Sequence, residues 1–393
     1  MRRPNERTMP HFPFSISSKL PRVGTTIFTT MSKLAHEHDA VNLSQGFPDF
    51  NVDQKLIDLA SHYMNLGYNQ YAPMAGVLPL RQSLSTKMEL LYGTTYDPNE
   101  EITVTSGATE AIYTAITALV KEGDEVLIFT PAYDCYAPAV ELSGGTCVFS
   151  PLNPDDYSVD WENVFKSINR KTRLVIINTP HNPTGAVWSK RDMEKLGTLL
   201  EDTQAIVLSD EVYEHIIFDD NIHWSCAAIP SLINRSLIVS SFGKTFHATG
   251  WKMGYIAGPA ELMKEFRKVH QFNVFSSMTP VQYALADYLQ DPANYSTLGK
   301  FYQQKRDLFL SLIKGSRFTY KPSGGTYFQL LNYSEIDTAN DVEVAARWTK
   351  EHKIASIPVS VFYHNPQDNC VLRFCFAKGE ETLVKAAQIL TKL

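Results

Sequence analysis

Four short loops carry the residues on which chemistry can be built, and each follows a run of apolar residues. Residues 102–105 (ITVT) lead into Ser106-Gly107-Ala108-Thr109, small residues that open a helix. A phosphate can approach backbone N–H groups and the positive end of the helix dipole there. Residues 174–177 (LVII) lead into residues 178–185 (NTPHNPTG), where two prolines and a glycine fix a loop and Pro183 holds Asn182 extended. Residues 205–208 (AIVL) end in Ser209-Asp210-Glu211-Val212-Tyr213, and a carboxylate at the end of a buried strand is costly unless it meets a cation. Residues 237–239 (LIV) end in Ser240-Ser241-Phe242-Gly243-Lys244-Thr245, where a lysine just past a buried strand is a candidate for a depressed pKa and covalent chemistry. Taken singly, a tight turn, an ordinary loop or a helix cap accounts for each of the first three. Gly243-Lys244-Thr245 matches the tail of a P-loop, but that motif needs a glycine at position 238, which is Ile. One chemistry uses all four loops: a lysine for a Schiff base, a carboxylate under a pyridinium nitrogen, donors to a ring oxygen, and a phosphate cradle. That is pyridoxal 5'-phosphate chemistry.

The elements that must position these loops are readable from the same runs. The runs at 174–177, 205–208 and 237–239, with residues 126–129 (VLIF), are each short, rich in β-branched residues and apolar on both faces, as strands of a parallel sheet are when helices cover both sides. Helical spacing of Ala111, Ile112, Ala115, Ile116 and Leu119 predicts a helix over residues 110–120, stopped by Gly123. In such α/β sheets ligands sit beyond the carboxyl ends of the strands, where the four loops lie. After about residue 300 the pattern changes. A strand is expected at residues 327–331, a helix opening near Asn340 and Asp341, a stretch at 354–361, a strand at 371–376 and a last helix from Glu380, which together read as a smaller α+β domain.

Composition narrows the function classes. The 393 residues carry 36 basic and 42 acidic side chains, a net charge of −6, which offers no footprint for nucleic acid or an anionic membrane. A hydrophobic fraction of 44% with 20% charged residues fits a globular core, and no apolar run approaches the ~18 residues of a membrane helix. The five cysteines (135, 147, 226, 370 and 375) are odd in number and form no C-x-x-C pair. They read as packing residues in a reducing compartment, so a cytoplasmic location is expected. Residues 1–20 contain Arg2, Arg3 and Arg7 without an apolar stretch, which argues against a secretory signal, and Glu6 weakens a transit peptide. A loosely docked tail is expected there. His36, Glu37 and His38 sit in a polar helix end and read as a solvated face, so no metal site is expected.

The chain resembles the fold-type I, class I/II aminotransferases, and within them the kynurenine/glutamine/methionine branch, nearest the bacterial methionine aminotransferases. The resemblance is carried by residues 42–50 (NLSQGFPDF), 69–73 (NQYAP), 105–110 (TSGATE), 178–185, 209–213 (SDEVY), 241–255 (SFGKTFHATGWKMGY) and 372–378 (LRFCFAK). It spans residue 20 to the end, and the set is specific jointly rather than singly. It implies a large domain at 51–298 with a mostly parallel seven-stranded sheet between helices, and a small α+β domain at 299–393 that residues 21–50 join.

The resemblance also implies roles. Lys244 joins the cofactor covalently and, once freed, moves the proton. Asp210 keeps the pyridine nitrogen protonated. Tyr213 and Asn182 bond the ring oxygen, and Tyr133 stacks on the ring. Ser241, Lys252 and the amides of Ala108 and Thr109 hold the phosphate. Many class members have arginine where Lys252 stands. Arg373 binds the substrate carboxylate as a bidentate fork, helped by Asn182 and the Gly46 backbone. Phe28, Phe275, Tyr71 and Tyr363 shape the side-chain pocket. Tyr71, which also reaches the phosphate, and Phe275 come from a second subunit of a homodimer. His181 and His247 flank the site.

The expected reaction is ping-pong transfer of an amino group from an apolar, sulfur-containing or aromatic amino acid, methionine favoured, to a 2-oxo acid. No added cation matches an acidic side chain. A carbon–sulfur β-lyase using the same residues is the alternative. A non-enzymatic cofactor-binding regulator would need a DNA-binding module, which neither the short tail nor the net charge provides.

Overall fold

The computed structural model describes residues 10–365 and 367–393. Residues 1–9 of the expected tail lie outside the described residues. Residues 10–20 are largely exposed, without helix or strand.

Twelve strands occur among the described residues: β1 Val41–Asn42, β2 Ile102–Thr105, β3 Glu125–Thr130, β4 Thr146–Pro151, β5 Thr172–Asn178, β6 Ile206–Asp210, β7 Ser236–Ser241, β8 Gly254–Ala257, β9 Phe328–Asn332, β10 Ile354–Ala355, β11 Ile357–Pro358 and β12 Val371–Cys375. Seven of them build one sheet in the order β2-β8-β7-β6-β5-β3-β4. Only β8 runs against the others, pairing antiparallel with β2 and β7. The apolar runs read from the sequence are the central strands, buried along nearly their whole length because helices pack on both faces.

Two strands escaped the sequence reading. Edge strand β4 is only partly covered, and its short apolar run Cys147-Val148-Phe149 is flanked by polar residues. Strand β8 begins inside the Gly-Trp-Lys-Met-Gly segment, which reads as a loop motif rather than as a strand. The helix predicted at 110–120 is Ala108–Leu119, and its earlier start matters. Gly107, at φ 83°, turns the chain so that the amides of Ala108 and Thr109 form the first helical turn at the end of β2.

The C-terminal region forms a three-stranded antiparallel sheet, β11-β12-β9. The stretch 354–361 is divided into β10, β11 and a single 3-10 turn, Ser360–Phe362. Asn340 caps helix Asp341–Glu351 by accepting from the Glu343 N–H, and the last helix runs Glu380–Leu390. The N-terminal segment belongs structurally with this region: β1 pairs in parallel with β10, Val41 opposite Ile354. Among the described residues, all five cysteines are free, no helix is long and apolar enough to cross a membrane, and no group of three or more His, Cys, Asp or Glu side chains is placed to hold a metal ion.

Register brings the loop residues together. Asn178 stands opposite Asp210, and both Thr105 and Ser241 stand opposite Gly254. Gly254 is required at that crossing: a Cβ there would lie 2.7 Å from the Ser240 carbonyl oxygen and 3.0 Å from the Ala108 nitrogen. Gly254→Ala is therefore expected to push the start of helix Ala108–Leu119 off the sheet. Overpacking of this kind costs about 1–3 kcal/mol, so the thermal unfolding midpoint should fall by several degrees. An unchanged midpoint would show that the crossing has room to give.

Candidate active site

At the carboxyl ends of β2, β5, β6 and β7 lies a cavity of about 170 Å³. Its walls include Ala108, Thr109, Tyr133, Asn182, Asp210, Tyr213, Ser241, Lys244 and Lys252, nine of the residues singled out in the sequence. Gly107, Asn178 and Met253 are among the other lining residues. The site occupies the position that open parallel sheets reserve for ligands.

One end of the cavity is built for an anion. The helix that starts at Ala108 points its first N–H groups into it. Lys252 adopts a left-handed backbone, φ 52°, and its ammonium reaches over Gly107, 3.5 Å from where a Cβ would stand. The floor is Asp210. Its carboxylate is buried, accepts from the Tyr136 hydroxyl at 2.5 Å and is approached by the Val212 N–H at 3.4 Å. Burial pushes its pKa up to about 6, with the Tyr136 hydrogen bond opposing the rise. Asn178 ties this floor to the proline loop, donating to the Asp210 carbonyl at 2.8 Å and accepting from the Asn182 N–H at 2.8 Å.

Lys244 enters from the short helix Phe242–Thr245 after β7. Its Nζ donates to the Gly46 carbonyl at 3.1 Å and to the Tyr327 hydroxyl at 2.9 Å. Burial brings the amine down to about 8. Tyr213 is buried, with its ring 5.7 Å from the lysine nitrogen, and its phenol is raised by burial.

Arg373, from β12, is the most unusual group. Its side chain is 1% exposed. Nη1 donates to Asn182 Oδ1 at 2.7 Å and Nη2 to the Ser44 carbonyl at 3.2 Å, while Nε has no partner. The guanidinium stacks 3.8 Å from the Phe328 ring centroid, with Phe28 and Phe362 further out. Neither hydrogen-bonding partner is a carboxylate. A buried cation hydrogen-bonded only to neutral groups and stacked on aromatic faces, with the Asp134 carboxyl acting on it without a hydrogen bond, is poised to receive an anion. Gly46 supports the stack, because a Cβ there would come 2.8 Å from Phe328 Cζ.

Tyr71 and Phe275 form an edge-to-face pair at 5.5 Å, and Tyr71 is 85% exposed. Neither lines the cavity within one chain. His181 is buried beside Thr184, its Nδ1 2.7 Å from the hydroxyl, and burial lowers it to about 4. His247 meets the Tyr302 hydroxyl at 2.8 Å. Tyr363 is buried in a small cluster with Leu330, Val359 and Val371.

Sequence reasoning missed three buried contacts: Tyr136 on Asp210, Asn178 behind the proline loop, and Tyr327 on Lys244. It also passed over a second layer. Glu214 accepts from Lys87 at 2.7 Å and Tyr255 at 3.1 Å, and from Tyr92 and Ser240. Burial alone would raise this carboxyl, yet Lys87 and the hydrogen bonds hold it below the usual range. Glu211 accepts from Ser209, Cys226 N–H and His223.

The fold and the cavity define an aminotransferase of the class I/II kind. Residues 38–390 match the family Aminotransferase class I and II, and the chain belongs to that family. It is 50% identical over 386 residues to methionine aminotransferase of Escherichia coli, covering 98% of this chain and 100% of the relative. It is 33% identical to human kynurenine–oxoglutarate transaminase 3, over 96% of this chain and 90% of that one. Among solved structures it is similar to YbdL from Escherichia coli, whose structure identified a methionine aminotransferase function (TM-score 0.95, 50% identity, 97% and 100% of the two chains). It is also similar to the aspartate aminotransferase of Thermus thermophilus with maleate (TM-score 0.88, 27% identity, 96% and 99%).

Members of this family work with pyridoxal 5'-phosphate, and the cavity fits it. It offers an anion cradle at one end, a buried carboxylate at the floor, a buried amine and a row of polar donors between.

Asp210 gives a pH test of this geometry in the cofactor-free protein. An exposed aspartate titrates near ~3.9, so between about 4 and 6 the folded chain holds a proton that the unfolded chain has released. The stability contributed by this acid is complete below the lower value and is lost as pH rises through the upper one. The thermal midpoint of the cofactor-free protein should show that fall, and Asp210→Asn should lack it. Equal pH profiles for the two proteins would refute the assignment.

Proposed function

We propose that the protein transfers the amino group of an apolar, sulfur-containing or aromatic amino acid, methionine first, to a 2-oxo acid, with the roles distributed as follows. Ala108 and Thr109 N–H, Ser241 and Lys252 hold the cofactor phosphate. Asp210 faces the pyridine nitrogen, Tyr213 and Asn182 bond the ring oxygen, Tyr133 covers the ring, and Lys244 makes the covalent link. When bound, pyridoxal phosphate supplies an electron sink for the pair left behind as the substrate Cα–H bond breaks.

The chain's own residues do the rest. Arg373 clamps the substrate carboxylate with Asn182 and the Gly46 backbone, fixing which bond at Cα faces Lys244. Lys244 takes the α-proton on Nζ and delivers it to the cofactor side, and its depressed pKa keeps enough neutral amine for the first step. Burial of Asp210, Lys244 and Arg373 excludes water that would compete for these protons. The observation that carries the proposal is Arg373, a buried guanidinium whose hydrogen-bonding partners are all neutral.

Phe28 and Phe362 beside Arg373, with Phe275 of a second copy, favour an apolar side chain, and the similarity to methionine aminotransferase supports methionine. Adding L-methionine to the holoprotein should bleach its visible band, and Arg373→Leu should lower kcat/KM at least about a hundredfold, the loss expected when one partner of a buried charged contact is removed. Bleaching by aspartate alone would sink the apolar pocket. Release of pyruvate-type products and ammonia from a cysteine conjugate would favour the β-lyase alternative.

We divide the chain into a large cofactor domain, 51–298, and a small domain, 299–393, joined by 21–50, and place it in the cytoplasm on the strength of five free cysteines. We further propose a homodimer in which Tyr71 and Phe275 complete the neighbour's site, Tyr71 at the phosphate. Support comes from Tyr71, 85% exposed and packed edge-on against half-buried Phe275, and from Phe272, three residues before Phe275 and 90% exposed. Sedimentation velocity should show a dimer, and Tyr71→Phe should weaken cofactor retention about tenfold through one lost phosphate hydrogen bond. A monomer with full activity would refute the shared site.

A further inference from the structure

Tyr327 was not marked by any sequence motif used above, yet it is the residue that Lys244 touches. It sits fully buried immediately before β9, and its hydroxyl donates to the Gly46 carbonyl at 2.6 Å. The phenolic hydrogen is thereby committed, so the oxygen meets Lys244 Nζ only as an acceptor, at 2.9 Å. The Gly46 carbonyl accepts from the same nitrogen at 3.1 Å. A neutral amine has two N–H bonds and one lone pair, and here both N–H bonds find acceptors on one side.

We propose that Tyr327 is a positioning residue for the reaction: its hydroxyl oxygen, together with the Gly46 carbonyl, receives the freed Lys244 amine and leaves the nitrogen lone pair turned into the cavity. This rests on the reading that Lys244 carries the cofactor and moves the proton. In the step itself the lone pair forms an N–H bond with the substrate α-proton, and the C–H electron pair stays on carbon. The third hydrogen of the resulting ammonium is the one left without an acceptor, so it is the one delivered onward. Tyr327 never gives up its own proton.

Two features make the receiver rigid. Gly46 cannot carry a Cβ without striking Phe328, which fixes its carbonyl. The Tyr327 ring is boxed edge-on by Tyr213 and Phe328 and tilted against Tyr302. The charged and titratable groups that act on Lys244 are Asp210 at the end of β6, Lys252 before β8, and Arg373 and Cys375 on β12, with the phenols of Tyr213 and Tyr327 beside it. None of the first four hydrogen-bonds the amine, whose two acceptors are both neutral.

The test uses Tyr327→Phe, with 3-fluorotyrosine at position 327 as a second variant that keeps the donor to Gly46 and weakens the acceptor. In cofactor-free protein, the pH dependence of Lys244 acetylation by acetic anhydride, read by mass spectrometry, reports the amine pKa. Removing an acceptor that favours the charged form should lower it by about half a unit or more, and fluorination should shift it in the same direction by less. In the holoenzyme, the visible band should be retained. kcat should fall about tenfold with KM little changed, and the α-deuterium isotope effect should rise as proton transfer becomes limiting.

An unchanged amine pKa and isotope effect in Tyr327→Phe would overturn the proposal, as would a lost visible band with raised KM, which would make Tyr327 merely structural. If Tyr327→Phe does not fold, the fluorinated protein decides, and no pKa shift there overturns it. A separate control isolates the underlying reading: a Lys244→Ala protein that keeps the visible band would overturn that reading and the proposal with it.

Discussion

The site depends on keeping two opposite buried charges apart. Asp210 and Lys244 line the same cavity, and left to themselves they would collapse into an ion pair that wastes both. The fold prevents this by giving each its own neutral partners. Tyr136 and the Val212 N–H approach the carboxylate from the strand-end side, while Gly46 and Tyr327 hold the amine from the opposite wall. Charges in a low-dielectric interior attract strongly, so only rigid partners on both sides can maintain the separation. The parallel sheet supplies one side and the C-terminal sheet with the N-terminal segment supplies the other.

Rigidity on the sheet side comes from the layer beneath. Residues 210–214 alternate between the cavity and the interior: Asp210 and Tyr213 face the cavity, whereas Glu211 and Glu214 turn into the core. Glu214 is held by Lys87 and Tyr92 of helix Leu78–Tyr92, Ser240 of β7 and Tyr255 of β8, three different segments. A buried carboxylate so fully satisfied specifies one arrangement of those segments, because any shift leaves a charge without its partner. Asn178 does the same for the proline loop through paired hydrogen bonds. The polar residues behind the cavity thus fix the geometry of those in front of it.

How legible a feature was in the sequence follows from how local its cause is. Strands β3, β5, β6 and β7 were readable because helices cover both their faces, which demands unbroken apolar runs. Strand β4 was not, since an edge position leaves part of it in solvent, and β8 was hidden by the glycines that let it cross the helix start at Ala108. The residues at strand ends could be located because loops following parallel strands converge. Tyr136, Tyr327 and Asn178 could not be ranked above the other tyrosines and asparagines. Their importance lies in contacts such as Tyr136 to Asp210 or Tyr327 to Gly46, which are set by tertiary packing and leave no spacing signal. Arg373 was readable only as part of a joint motif, since nothing local announces that it is buried with only neutral hydrogen-bonding partners.

The parallel pairing of β1 with β10 has a consequence for the order in which the protein is made. All seven strands of the main sheet have been synthesised by residue 257, so the anion cradle and the Asp210 floor can assemble early on the ribosome. Gly46 has emerged long before, but β1, which anchors its segment, has no strand partner until Ile354 appears, and Arg373 follows later still. The nascent chain therefore builds the half of the pocket with the helix start at Ala108 and Asp210 before the half with Arg373. On the roles proposed above, a cofactor can be captured by a site still unable to react, and the last strands to leave the ribosome complete it.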